Sequence, residues 1–298
     1  MSEPVVHHYV PKFYFKPWCD ANGEMVCYRR VHGGKVVVRR LVPDATAHEP
    51  HLNSLVDMPP ERTADFEKDL ARHVDAPGAK AIQQVISGDG KLTDAEFNYL
   101  IRFILALRYR TPEVIRHLRH DTPSSFREMI ENAQDEYGQI RQGNDPPTSL
   151  EFLDKHKHPS YLKNIGFTLA AKLIFEPKRG RELTEMEWFL RDTSASSRPV
   201  LTSDRPLIMR NMLQRTNSMV LLPLSPKHVL IGCRDAENVM LKIDDGGTTA
   251  FVKIVNGLVV GQAKERCYGT TLALQSFVER RLGKIHHLLP YAQEGDGA

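Results

Sequence analysis

The chain has 298 residues, 41% hydrophobic and 26% charged, with a formal net charge of +3. That balance fills a core and excludes a disordered chain, a collagen-like chain and a disulfide miniprotein. A surplus of three positive charges does not by itself select a nucleic-acid partner.

In chain order, Val5–Phe15 is aromatic and apolar and is expected to tuck against the core. Met25–Arg30 and Lys35–Arg40 flank Val31-His-Gly-Gly34. Apolar and charged residues alternate there, and Gly supplies positive φ, which predicts a β-hairpin. Pro43–Pro60 reads as a loop. From Glu61 to Phe175 the period is helical, with a break expected at Pro77-Gly78. Thr93 and Glu96 form a capping box that opens a helix with Phe97, Leu100, Ile101, Ile104 and Leu107 on one face. That helix runs out at Arg108–Pro112, because Pro112 disfavours helical geometry at Thr111. Further helices are expected at Glu113–His120, Ser124–Arg141, Leu150–Lys155 and Ser160–Phe175.

After Pro177-Lys-Arg-Gly180 the pattern changes. Glu187–Asp192, Arg198–Thr202, Ser218–Leu222 and His228–Gly232 read as strands, antiparallel because their connections are short. Pro223–Pro226 is the expected loop between the last two. Thr248–Glu265 and Ala273–Leu282 return to helix. Strands at both ends with helices between make the fold class α+β. A helical middle (61–176) is expected to pack against a small antiparallel sheet of C-terminal strands (177–292). The N-terminal part (1–60) adds the hairpin, and 1–292 is expected to form one interlocked domain.

No apolar stretch reaches the ~18 residues of a membrane helix, and Met1-Ser-Glu-Pro4 lacks the pattern of a signal peptide. Cys19, Cys27, Cys233 and Cys267 form no CxxC pair. These features predict a cytoplasmic chain with reduced thiols and no membrane partner. There is no Walker A sequence, no GxGxxG after a strand, no HExxH and no EF-hand loop, so no cofactor or metal is named.

Three stretches, taken in order, resemble a known family. His8-Tyr-Val-Pro-Lys-Phe-Tyr-Phe-Lys16 is similar to the opening of the bacterial domain-of-unknown-function family 4238. That opening reads His, aromatic, Val or Ile, Pro, then an aromatic or Leu stretch closing on a basic residue. Leu107-Arg-Tyr-Arg-Thr-Pro112 resembles the family's helix end at Arg-Thr-Pro, and Leu201-Thr-Ser-Asp-Arg-Pro206 resembles its Thr-Ser-Asp-x-Pro turn. Leu222-Pro-Leu-Ser-Pro226 and Val255-Asn256 resemble later features. Trp18 stands where the family more often has Phe, and Ala45–Met58 lacks the family's aromatic pair. The resemblance implies a fold and a set of candidate residues; it implies no activity.

The candidates follow from their chemistry. His8 is an acid or base, and Asp204 a base or metal ligand on a loop held by a strand. Ser203 is a candidate nucleophile, although no G-x-S-x-G elbow surrounds it. Arg110 and Arg108 end an apolar helix, where a planar guanidinium suits a carboxylate or phosphate. Asn256, polar among Val255, Leu258 and Val259, is a substrate-binding candidate through the resemblance. Competing structural readings are a buried Arg110–Asp204 pair and an Asx or ST turn at Thr202–Pro206. His7-His8-Tyr-Val-Pro11 is also similar to an HNH opening, but a whole hairpin separates it from His48, His51 and Asn53.

His8, Arg110, Ser203 and Asp204 are expected to meet in one cleft. Two functions follow. One is a hydrolase or nuclease acting on nucleic acid or a phosphorylated small molecule. The other is a non-catalytic binding or regulatory protein in which the same residues form a buried structural network.

Overall fold

The computed structural model describes residues 6–87, 92–211 and 213–285; the expected limit at 292 lies outside them. In chain order the strands are β1 (Val6–His8), β2 (Met25–Arg30), β3 (Val36–Leu41), β4 (His48–Pro50), β5 (Glu187–Asp192), β6 (Thr202–Ser203), β7 (Ile208–Arg210), β8 (Met219–Ser225), β9 (His228–Cys233) and β10 (Arg266–Gly269). The helices used below are α1 (Lys12–Phe15), α2 (Asp65–Leu70), α3 (Ala76–Ser87), α4 (Asp94–Tyr109), α5 (Pro112–Asn132), α6 (Gln134–Ile140), α7 (Ser149–His156), α8 (Tyr161–Phe175), α9 (Pro177–Thr184), α10 (Ala236–Asp245), α11 (Gly247–Gln262) and α12 (Gln275–Glu279). The class is α+β, with all sheets antiparallel.

β1 and β4 form a two-stranded ribbon with His8 opposite His48. The predicted hairpin is present as β2–β3, and Gly33 and Gly34 both take φ 77° in its turn. Its sheet runs β3-β2-β10-β6, so Arg29 pairs with Arg266 and the two ends of the chain are laced together. The remaining C-terminal strands form a separate sheet, β5-β9-β8-β7. No helix among the described residues is long and apolar enough to cross a membrane.

The helical middle departs from expectation at its prolines. The Pro77-Gly78 break is absent: α2 continues through a π-turn at Ala71–Asp75 into α3. Proline cannot donate to the carbonyl four residues back, and the wider π-turn upstream accommodates that loss. Gly78 is needed for packing, since a Cβ there would lie 2.9 Å from Phe103 Cβ. Pro112 opens α5 at its first position, where the missing N–H costs nothing. Pro123, expected to separate two helices, lies inside α5. Packing against α8 outweighs the lost bond; at Gly166 the backbones approach so closely that a Cβ would sit 2.3 Å from Leu118 O.

α4 begins at the Thr93–Glu96 capping box and buries Leu100, Ile101 and Phe103–Leu107 at the centre of the core. Tyr14, Phe15 and Trp18 are buried against that core, as the apolar opening predicts. The strand expected at Arg198–Thr202 shrinks to β6 because side chains and a loop carbonyl take its backbone groups. Pro199 O and Leu201 N–H bond the Asn256 amide, Val200 O accepts from Trp18 Nε1, and Val200 N–H donates to Pro226 O. The loop expected at Pro223–Pro226 is mostly strand. β8 runs through Pro223 to Ser225, beyond the reach of β7, so the proline removes no ladder bond on that side.

Candidate functional site

A cleft of about 200 Å³ opens where the β1–β4 ribbon, the first turn of α5, the turn after β6 and the segment joining α11 to β10 converge. Tyr9, His48 and Glu49 line it from the ribbon, and Pro112 and Glu113 from α5. Asp204, Arg205, Lys264, Glu265 and Arg266 complete it. Glu113 bridges Arg205 Nη2 (3.2 Å) and Lys264 Nζ. Burial opposes its charge, but the Lys264 hydrogen bond and the Arg205 charge outweigh burial and hold the carboxyl below the usual range. Arg266 donates to Thr46 Oγ1 (2.9 Å), which meets Tyr268 Oη at 2.6 Å.

His48 is neutral near pH 7, because burial and then the Arg266 and Lys12 charges push its pKa down. Its Nδ1 is buried without a partner. Burial, followed by the Asp204 charge, pushes the Tyr9 hydroxyl far up, so it remains a donor.

The cleft collects one residue from the expected set, Asp204. That carboxylate is already fully engaged. Oδ1 accepts from the N–H of Lys264 (2.9 Å), and Oδ2 from those of Glu265 (2.8 Å) and Arg266 (3.0 Å). Burial pushes its pKa up against these three donors. Ser203 is wholly buried, and its Oγ accepts from the Arg205 N–H at 3.2 Å, the ST turn of the competing reading. Asn256 clamps the 199–201 backbone. Arg108 Nη1 lies 2.7 Å from Met209 Sδ.

Arg110 pairs with Asp75, not with Asp204. Its Nη1 reaches Asp75 Oδ1 at 2.8 Å and Oδ2 at 3.0 Å, while Nε and Nη2 are buried without partners. Asp75 belongs to the π-turn, a feature with no sequence signal. Near this pair lies a second polar chain. The Asn53 N–H donates to His7 Nδ1 (2.8 Å), and Asn53 Nδ2 donates to Glu67 Oε2 (2.6 Å). Burial raises the Glu67 pKa, while the Asn53 bond and the Arg110 charge lower it. Because His7 Nδ1 accepts, the neutral ring carries its proton on Nε2, which is buried and unpartnered. Asn53 is presented by a strained loop: Ala47, His51 and Asp57 all take φ between 51° and 53°, each costing about 1–3 kcal/mol.

A family model described as "Protein of unknown function (DUF4238)" matches residues 6–271. The chain belongs to that family. No curated protein and no solved structure matches it. The three stretches that carry the DUF4238 resemblance all reach the cleft: Tyr9 comes from the first, Pro112 from the second, and Asp204 and Arg205 from the third. His8, one residue before Tyr9, does not line the cleft but pairs across the ribbon with His48, which does. The two rings meet edge-on at 5.1 Å. Among the described residues no group of three or more His, Cys, Asp or Glu is arranged to hold a metal ion.

His8 makes the protein acid-sensitive. Burial first, then His48 and Lys12, lower its pKa from 6.5 to about 4. Between those values the unfolded chain binds the proton and the folded chain does not. Stability therefore rises with pH across this window and is lost as pH falls through it. Urea midpoints measured from pH 6.5 down to about 4 should fall less steeply for His8→Asn than for wild type. Some slope will remain, since His7 and His48 are lowered in the same direction. An unchanged slope in His8→Asn would exclude this contribution.

Proposed function

We propose that this chain is a hydrolase acting on a phosphate-containing substrate bound in the cleft. The observation that supports it is the gathering of Arg205, Lys264 and Arg266 around neutral His48 at the first turn of a 21-residue helix. Cations and a helix N-terminus both favour a phosphate group. Glu113 holds Arg205 and Lys264 in place until phosphate oxygens compete for them. The volume suits one phosphate group and its immediate substituents, so the substrate is a phosphomonoester or one linkage of a larger molecule. In the reaction a water attacks phosphorus, its proton passes to His48, and the bond from phosphorus to the leaving oxygen breaks. Tyr9 donates a hydrogen bond to that leaving oxygen, which takes its proton from solvent, and His48 returns its proton to solvent.

The test is turnover of p-nitrophenyl phosphate, nucleotides, RNA and DNA, each with and without divalent metal. One class should be hydrolysed. His48→Asn should lower kcat by about 10²–10⁴-fold, and Lys264→Gln should mainly raise KM. Wild type inert to every substrate, or His48→Asn at full activity, would sink the proposal.

A second reading, a non-catalytic binding or regulatory protein, is favoured by one observation. Ser203, Asp204 and Asn256 spend their polar atoms on the backbone. Under that reading phosphate compounds bind without turnover.

A further inference from the structure

The β6–β10 pair has a second cleft at its opposite end. Where the first lies at Asp204 and Lys264–Arg266, the second lies at Ser197–Pro199 and Thr270–Thr271. It is larger, about 650 Å³, within the roughly 300–1,000 Å³ range of small-molecule sites. Its character is also different. Arg198 and Arg280 both line it, and no carboxylate does. Neither guanidinium forms an ion pair among the described residues. Ser197 and Thr270 bring hydroxyl groups, and Phe277 supplies an apolar floor. A third guanidinium, Arg281, lies over the Phe277 ring at 4.2 Å.

Both walls are held by side-chain hydrogen bonds. On one wall the Asn256 amide takes Pro199 O (3.0 Å) and the Leu201 N–H (2.8 Å), while Trp18 Nε1 takes Val200 O (2.9 Å). The Ser197 N–H donates to Thr249 Oγ1. On the other wall the buried Tyr28 hydroxyl donates to Thr271 O. Arg198 thus projects from a backbone that does not have to order itself when a ligand arrives, which reduces the cost of binding.

We infer that this second cleft binds a phosphate ester of nucleotide size, the arginines taking phosphate oxygens and the Phe277 side receiving the apolar remainder. Two guanidiniums that form no ion pair among the described residues, with hydroxyls beside them and no carboxylate in the described lining, suit phosphate. The site is independent of the hydrolase reading, which concerns the other end of the strand pair. Asn256 acquires a part in it as a positioning residue, through the wall that carries Arg198.

Calorimetric titration of the full chain with ADP, adenosine and pyrophosphate, without metal and at low salt, tests this. ADP should bind and adenosine should not. Arg198→Gln and Arg280→Gln should each weaken ADP by roughly ten- to a hundredfold, the equivalent of one charge-assisted contact. Both residues are exposed, so thermal melts of these variants should match wild type. Arg39→Gln, exposed on β3 and outside both clefts, should leave ADP affinity unchanged. The inference fails if wild type does not bind ADP, if Arg198→Gln or Arg280→Gln binds as wild type does, or if Arg39→Gln abolishes binding. Pyrophosphate binding as tightly as ADP would overturn the apolar half of the assignment.

Discussion

Asp75→Ala is expected to lower the unfolding free energy by about 3–5 kcal/mol, more than Arg110→Met at its partner. The asymmetry comes from burial. Arg110 is 1% exposed and the Asp75 side chain 22%. Among the described residues Asp75 is the one hydrogen-bond acceptor of the guanidinium, whose Nε and Nη2 are already unfilled. Without it a buried cation has no counter-charge and water cannot reach it. Removing Arg110 instead leaves a carboxylate that hydrates, and the loss is the packing of the guanidinium near Phe103, whose ring centroid is 5.8 Å from Cζ. Arg110→Met restores apolar volume and should lose less than Asp75→Ala. Urea titrations of the two variants rank them. Arg110→Met at least as damaging as Asp75→Ala would show that packing, rather than charge pairing, holds this part of the core. A loss of 3–5 kcal/mol is a large share of the ~5–15 kcal/mol that a domain has in total, so Asp75→Ala should also express poorly.

Locally encoded features could be read from the chain, and those depending on distant partners could not. The Thr93–Glu96 box, the Gly33-Gly34 hairpin and the apolar face of α4 each announce themselves within about ten residues. β10 did not, because Arg266–Gly269 has no alternating run of its own. It is a strand because β2 and β6 lie on either side. The same holds for β1 and β4, three residues each. The prolines misled in both directions: Pro77 and Pro123 sit inside helices whose packing outweighs local propensity, and Pro223 sits in a strand. The three stretches all reach the candidate cleft; of the residues singled out within them Asp204 lines it, and His8, Arg108, Arg110 and Ser203 do not. Tyr9, Arg205 and Glu113 line the cleft, each adjacent to a residue that drew attention: His8, Asp204 and Pro112. A polar residue that closes a turn and a polar residue that faces a cleft look alike in sequence, because only the pairing of its atoms separates them. Lys264 and Arg266 carry no local mark, and the Asn53–Glu67 bond depends on a strained loop that residue types do not encode.

Asp204 is the residue on which the two readings of the third motif part most sharply. As a catalytic base it would tolerate Asp204→Asn with its fold intact and its chemistry lost. The geometry predicts the opposite order of effects. Three backbone N–H groups, from Lys264, Glu265 and Arg266, converge on its two oxygens, and the Asp204 N–H itself donates to Arg266 O at 3.0 Å. An amide supplies one acceptor oxygen and turns an NH₂ group toward at least one N–H, so even this isosteric change sets donor against donor. Asp204→Ala removes every acceptor, and buried donors left unpaired cost about 1–3 kcal/mol each. Asp204→Ala should therefore lose at least about 3 kcal/mol, with Asp204→Asn losing a substantial part of it. The damage should also be local before it is global. The 264–266 segment carries Lys264 and Arg266 into the cleft and leads into β10, so amide exchange should accelerate first at Lys264–Gly269. Denaturant titration of both variants, with hydrogen exchange resolved to these residues, measures the effect. An Asp204→Asn variant as stable as wild type, with unchanged exchange at Lys264–Arg266, would remove the structural assignment and return Asp204 to the list of catalytic groups.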